Sequence, residues 1–499
     1  MSTTNTTLVK NFSVLMVSQF ITWGLTLLLT IYLPRYLGAA AVGKLYLATA
    51  LWSVVVVFIG FGMDTLLIKE IARDPANINK YFYTTLGIRI VLGVVGFSAV
   101  ALFVYLAGYS PDTIAVIIIV GIAHLIFQLG DTCGAMLQGL ERMEFISLGN
   151  IVSKFFTMAV SIGLLWLGQG VVVIAAVSIG AALIYLMIPL LSLHYLRPIT
   201  LNFDFRLASW LLKNSVSYFF MAMVAIAYRQ IDIIVISLLV NEQVVGWYGV
   251  VDHLSGTLVF TAVIFVTTVF PALSRMYRHN ADALPQTMQK SFHLLSLFSV
   301  PIGLGIFMVA EPFVKLLFGE AFANSGPVMA VMGFVLIFTN QNILLGHFLI
   351  STDNQNRLTI IMVMAMVTTI LLDLFLIPWC QAVFDNGAIG GVLAYVITEI
   401  GIFVSMVFIL RKALVSKNSV WLFLKVFLAG FVMVISAWWA RNMFIAIPIV
   451  ISMGVYLALI AGLRLLPPED WHTLKLLIRQ LYARLRGYRL QHLGAPGKG

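Results

Sequence analysis

Tyr228, Arg229, Gln230 and Asp232 form a polar run inside an otherwise apolar stretch, MAMVAIAYRQIDIIVISLLV, residues 221–240. Arg229 stands 12 residues before the loop at Asn241, roughly 18 Å along a helix. A charge that deep in hydrocarbon costs at least about 2.5–3.5 kcal/mol on insertion scales, so its retention points to function. A guanidinium can hold phosphate oxygens in a fixed bidentate geometry. Asp232, three residues on, shares its helix face and can neutralise it between binding events. The alternative is an internal salt bridge that fixes helix packing. Other ionisable groups lie at comparable depth: Arg89, Asp64, Asp131, Asp252 beside His253, and Glu399. The carboxylates are candidates for proton or cation carriage, or for pairing with Arg229. Asp373 and Lys154 fall closer to helix ends, where snorkelling or capping suits them.

The chain offers little for catalysis. No GxSxG, Walker or HExxH pattern occurs, and DNGAIGG (385–391) opens an apolar segment with no strand before it. Cys133 and Cys380 have no metal-ligand spacing around them and read as buried structural thiols. No cofactor and no metal are expected. Without an ATP-binding domain, uphill transport must draw on an ion gradient, the membrane potential or a partner.

The elements that must position these charges are membrane helices. Of the 499 residues, 61% are hydrophobic and only 10% charged, against about 25% charged in soluble proteins; the mean hydropathy is +1.01. Apolar runs long enough to cross about 30 Å of hydrocarbon recur throughout. Charge, Pro and Gly delimit fourteen spans: 12–33, 42–66, 82–107, 113–139, 148–167, 171–192, 213–240, 246–272, 289–310, 326–350, 357–377, 387–410, 420–440 and 443–462. The fold class is therefore all-α and polytopic, because helices satisfy their own backbone in lipid. The first span is too long for a signal-peptide core and is expected to be retained.

Alternating the spans from a cytoplasmic N-terminus puts 24 of the 30 lysines and arginines on the cytoplasmic side. This bias predicts both termini in the cytoplasm of a multi-pass cytoplasmic (inner) membrane protein. The net charge of +10 then marks topology rather than nucleic-acid binding, for which no motif is present. Residues 469–490, EDWHTLKLLIRQLYARLRGYRL, alternate apolar and basic positions at helical spacing, as an amphipathic helix on anionic lipid does. A faint repeat relates RYLGAAAVGKLYLATALW (35–52) to LLVNEQVVGWYGVVDHLS (238–255), with Gly43 matching Gly246. Six spans separate the copies, a plan of two parallel six-helix bundles. The domains expected are 8–195 and 196–412 for the two bundles, 413–465 for spans 13 and 14, and 466–499 for the basic tail.

Three stretches carry a family resemblance: LPRYLGAAAVGKLYLATALW with GFGMDTLLIKEIAR, YRQIDIIVISLLVNEQVVGWYGVVDHL with VFPALSRMY, and the region from NRLTI (356–360) to DNGAIGGVLAYVITE. Over about residues 8 to 465 the chain resembles the polysaccharide-biosynthesis flippases, the Wzx-type O-antigen and capsule translocases. These share the MOP superfamily with MATE exporters and the MurJ lipid II flippase. The resemblance implies two six-helix lobes across a V-shaped cavity, with spans 1, 2, 7 and 8 at its walls and spans 13 and 14 grooved for a lipid tail. It implies an isoprenoid-diphosphate-linked glycan as substrate, flipped outward by alternating access for surface polysaccharide assembly. Arg229 or Arg89 would meet the diphosphate, with Tyr228, Gln230 and Asp232 beside them. Membrane lipids, a polysaccharide polymerase and chain-length machinery are the implied partners. The alternative within the superfamily is an ion-coupled exporter of organic cations using Asp232, Asp252 and Glu399. A membrane scaffold for polysaccharide assembly is the reading without transport.

Overall fold

A computed structural model describes residues 3–196, 203–279, 281–414, 417–441, 443–463 and 465. The basic tail at 469–490 lies outside the described residues. Sixteen α-helices and short 3-10 turns make up the rest, and no strand occurs among the described residues.

Helix α1 (Thr3–Gly60) holds the first two spans in one element, divided at Gly38. Gly38 has φ 77° and ψ 172°, a backbone that a side chain resists and glycine accepts. There the chain doubles back. Lys10 on the first limb pairs with Glu144 at 3.7 Å, whereas Arg35 at its far end donates to the Leu317 carbonyl at 2.6 Å. On the second limb, Trp52 donates to the Ile117 carbonyl at 2.7 Å and Val56 accepts from Gln128 at 2.9 Å. The limb ends at Phe61 and Gly62, both in the left-handed region, and α2 (Met63–Arg73) continues beyond the bend.

The N-terminal lobe adds α3 (Ile78–Ala107), α4 (Pro111–Gly139), α5 (Met143–Trp166) and α6 (Val171–Leu196). The second lobe holds α7 (Phe205–Leu239), α8 (Glu242–Leu258), α9 (Phe260–His279), α10 (Leu284–Phe318), α11 (Ser325–Ser351), α12 (Gln355–Phe384) and α13 (Gly387–Ile409). A four-residue helix, α14 (Arg411–Leu414), leads to α15 (Lys417–Ala437) and α16 (Ala446–Gly462). Both of these pack on α10 around Val300, Leu304, Val426 and Tyr456. Twelve of the helices are long and apolar enough to cross a membrane. The fold of α1 and the 17-residue α16 account for the remaining two of fourteen passes.

Polar residues at the connections set where helices start. Ser110 and Pro111 open α4, Asn241 Oδ1 accepts from Val244 N at 3.0 Å to cap α8, and Asp204 Oδ1 accepts from Leu207 N at 3.1 Å to cap α7. Such side-chain acceptors satisfy amides that the helix leaves open. Connections near residues 74, 141, 204 and 353 define one face, here named the basic face; those near 109, 168, 241 and 385 define the opposite face. Exposed Tyr105, Trp166 and Trp439 ring the opposite face, and Tyr195, Phe205 and Trp210 the basic face, the positions that interfacial aromatics take in a bilayer.

Two differences from the sequence reading matter for the site. The eighth span is broken at Val259 into α8 and α9. Helices α5 and α12 outrun the apolar windows that located them, beginning at Met143 and ending at Phe384. Lys154 and Asp373 consequently sit well inside their helices rather than near the ends.

Candidate functional site

The two lobes meet at the opposite face through bare backbone. A Cβ on Gly43 would lie 1.7 Å from the Glu242 carbonyl oxygen, and one on Gly246 would lie 2.0 Å from that of Ala39. A Cβ on Gly249 would enter the Tyr46 ring at 2.3 Å. The glycines matched by the internal repeat thus face each other across the lobe boundary, where small residues allow close helix approach. Thr113 Oγ1 donates to Glu242 Oε1 at 2.8 Å, and the Tyr109 and Ser237 hydroxyls bond at 2.7 Å across the same seam. Nearer the basic face, Trp23 packs on Phe260 with ring centroids 3.8 Å apart, and Phe61 stacks on Phe219 at 4.5 Å.

Between these contacts lie the charged groups of α5, α7 and α8. Arg229 is exposed and lies over Gly256, where a Cβ would come 3.1 Å from its Nη2. Asp252 and His253 are in electrostatic contact with it. His253 is exposed and stands 5.9 Å from the Tyr46 ring. From the other lobe Lys154, near the midpoint of α5, is exposed and within electrostatic reach of His253 and His124. Neither Arg229 nor Lys154 makes an ion pair among the described residues. Gln230, next to Arg229, is half-buried.

The remaining expected residues divide into locked networks. Asp232 does not meet Arg229. It is 2% exposed, accepts a hydrogen bond from the Tyr248 hydroxyl of α8, and is in electrostatic contact with Asp373 of α12. Glu399 is buried and accepts from Tyr228 at 2.9 Å and from Asn342 Nδ2 at 2.8 Å. Arg89 is 1% exposed and committed within its own lobe: to Asp64 Oδ1 at 2.5 Å, the Gln128 carbonyl at 2.8 Å and Thr132 Oγ1 at 2.7 Å. It ties α3 to α4 and the start of α2, and is not available to a ligand between the lobes. Asp131 accepts from Tyr185 at 2.7 Å.

Of the expected cavity residues Arg229 lies at the lobe boundary, where Asp252, expected as a coupling carboxylate or a partner for Arg229, is in electrostatic contact with it. Lys154, His124 and His253 join them. Lys154 was visible in the sequence, but an apolar-window boundary placed it too near a helix end. Among the described residues no cluster of His, Cys, Asp and Glu could hold a metal ion, and Cys133 and Cys380 are buried free thiols.

Two helical lobes facing each other across a boundary that carries unpaired charge define a membrane transporter. The chain belongs to the polysaccharide biosynthesis protein family, whose model matches residues 8–277, within the MOP superfamily. It is similar to the probable low-salt glycan biosynthesis flippase Agl15 of Haloferax volcanii, at 20% identity over 368 residues, 71% of this chain and 74% of that one. Its fold is similar to that of the lipid II flippase MurJ in an inward closed conformation, with a TM-score of 0.73 at 14% identity, covering 90% of this chain and 98% of MurJ. An inward-facing MATE multidrug transporter of the same superfamily matches with a TM-score of 0.64 at 13% identity, covering 78% and 94%.

Proposed function

We propose that this protein flips an isoprenoid-diphosphate-linked oligosaccharide from the cytoplasmic to the outer leaflet by alternating access, for surface polysaccharide or glycan assembly. The observation that carries the reading is the pair of unpaired cations, Arg229 and Lys154, exposed at mid-membrane depth from opposite lobes. Charge held at that depth without a direct ion pair is costly; Asp252 lies within electrostatic reach of Arg229 without bridging it, and a diphosphate crossing the membrane supplies an anion to both cations. The guanidinium clamps phosphate oxygens while the ammonium adds a mobile point charge. The glycan flippase and lipid II flippase among its relatives support the substrate class.

The basic face is the cytoplasmic one, in the cytoplasmic membrane, with both termini on that side. Energy comes through the carboxylates Asp252, Asp232, Glu399, Asp64 and Asp131 as carriers of a proton or coupling cation; of these Asp232 and Glu399 are buried and the other three half-buried. A polysaccharide polymerase with its chain-length machinery receives the product. Export of free organic cations fits less well. Glu399 and Asp232, two of the three carboxylates it would use, are already held by Tyr228, Asn342 and Tyr248.

The test is the appearance of lipid-linked glycan on the outer leaflet, normalised to inserted protein. Arg229→Ala and Lys154→Ala should each reduce it at least about tenfold, and Arg229→Lys should retain partial activity. Wild-type transport by both alanine variants would sink the diphosphate role.

A further inference from the structure

A second polar space lies within the N-terminal lobe, beside the cation pair. It encloses about 280 Å³ and is walled by His124, Phe127, Gln128 and Asp131 of α4, Asn150 of α5 and Tyr185 of α6. That volume falls just under the range of pockets that take drug-sized ligands, about 300–1,000 Å³, and suits a single ring. Gly130 leaves room for the Tyr185 ring, which a Cβ there would meet at 2.7 Å. The ring's hydroxyl then donates to Asp131 Oδ1, one of the acceptors that line the chamber.

The wall is rich in acceptors. Gln128 is 4% exposed; its Nε2 donates to the Val56 carbonyl at 2.9 Å, while its Oε1 is buried without a partner. A buried acceptor left unpaired is expensive. His124 Nδ1 lies 2.9 Å from the Val120 carbonyl. A carbonyl only accepts, so Nδ1 carries the proton, and in its neutral form the ring offers Nε2 as a further acceptor. Asn150 can donate or accept, and Phe127 with the Tyr185 ring supplies an apolar wall, the two rings 5.3 Å apart.

A ligand for such a wall carries several O–H donors and an apolar C–H face, which describes a sugar ring. An organic cation fits poorly, because the Lys154 ammonium is within electrostatic reach of the chamber's His124. Lys154 also follows Asn150 by four residues, on the same face of α5. A diphosphate held by Lys154 therefore places its first attached sugar at the chamber mouth. Building on the flippase reading, we infer that this chamber is a monosaccharide subsite that binds the sugar joined directly to the diphosphate.

The test compares two probes on the detergent-purified full chain: an isoprenoid diphosphate carrying one hexose, and the same isoprenoid diphosphate without sugar. Wild-type protein should bind the hexose-bearing lipid about tenfold more tightly. Asn150→Ala should remove that advantage while leaving the bare diphosphate bound as before, which also reports an intact fold. Arg229→Ala should weaken both lipids alike. Equal wild-type affinity for the two lipids, or equal losses for both in Asn150→Ala, would overturn the subsite and leave the diphosphate reading standing. Failure of the wild type to bind either lipid would overturn both.

Discussion

Arg229 and Asp232 stand three residues apart on α7 and serve different neighbours. The guanidinium lies over Gly256 at the lobe boundary, while the carboxylate is buried against Tyr248 of α8. Their substitutions should therefore fail in different ways. Arg229→Ala should leave inserted protein near wild-type amounts and reduce transport per molecule. Asp232→Ala removes the partner of a buried hydroxyl, a change worth about 1–3 kcal/mol, and should lower abundance several-fold. Joining the two in an apolar pair should not restore transport. Recovery of both abundance and flipping by the double variant would mean that the two charges work as one salt bridge.

The glycine seam predicts an intolerance of side chains. Valine at Gly246 would drive its Cβ into the Ala39 carbonyl, a backbone atom that cannot swing aside. Spin labels at Asp112 and Gln243, on the two sides of the seam, should report a longer distance in Gly246→Val than in wild type. An unchanged distance distribution would show that the seam accommodates bulk.

At the basic face, Asp204 is held by Lys80 at 2.7 Å and by the Arg206 and Leu207 amides. The Lys80 hydrogen bond, followed by the helix-end amide of Leu207, lowers the carboxyl to about 2. A carboxyl depressed on folding stabilises above its unfolded value of about 3.9, and that contribution is lost as pH falls through about 2. Asp204→Asn should unfold at a lower temperature than wild type from pH 7 down to about 4, and the gap should close towards pH 2. Thermal unfolding in detergent across that range reads it. A gap that widens on acidification would reverse the assignment.

Topology gives a separate check. Cysteines at Asp112 and Gln243, both exposed at the opposite face, should react with an impermeant reagent added to intact cells. A cysteine at Asn77, exposed at the basic face, should react only after permeabilisation. Labelling at 77 from outside would invert the orientation drawn from charge.

The helical passes were legible because hydrocarbon demands long apolar segments, and the Gly43–Gly246 match was legible because close approach demands glycine. The partners of the charges were not. Spacing of three residues permits an Arg229–Asp232 pair, but Tyr248, distant along the helix hairpin, offers Asp232 a buried donor and takes it. Arg89 reads as a cavity cation until α4 supplies Gln128 and Thr132. Lys154 was misplaced because helices continue through polar residues past the end of an apolar window, as α5 does from Met143.

The lobes touch at the opposite face largely through main chain at Gly43 and Gly246, with the Tyr46 ring against Gly249. The directional ties across the seam, Thr113 to Glu242, Tyr109 to Ser237 and Arg35 to the Leu317 carbonyl, are ones that water can replace. Opening there resembles the parting of a dry, close-fitting joint, whose resistance comes from lost van der Waals contact rather than from a latch. Resistance of that kind falls away steeply with the first fraction of an ångström of separation, so the seam should be either fully shut or fully open, with little time spent ajar.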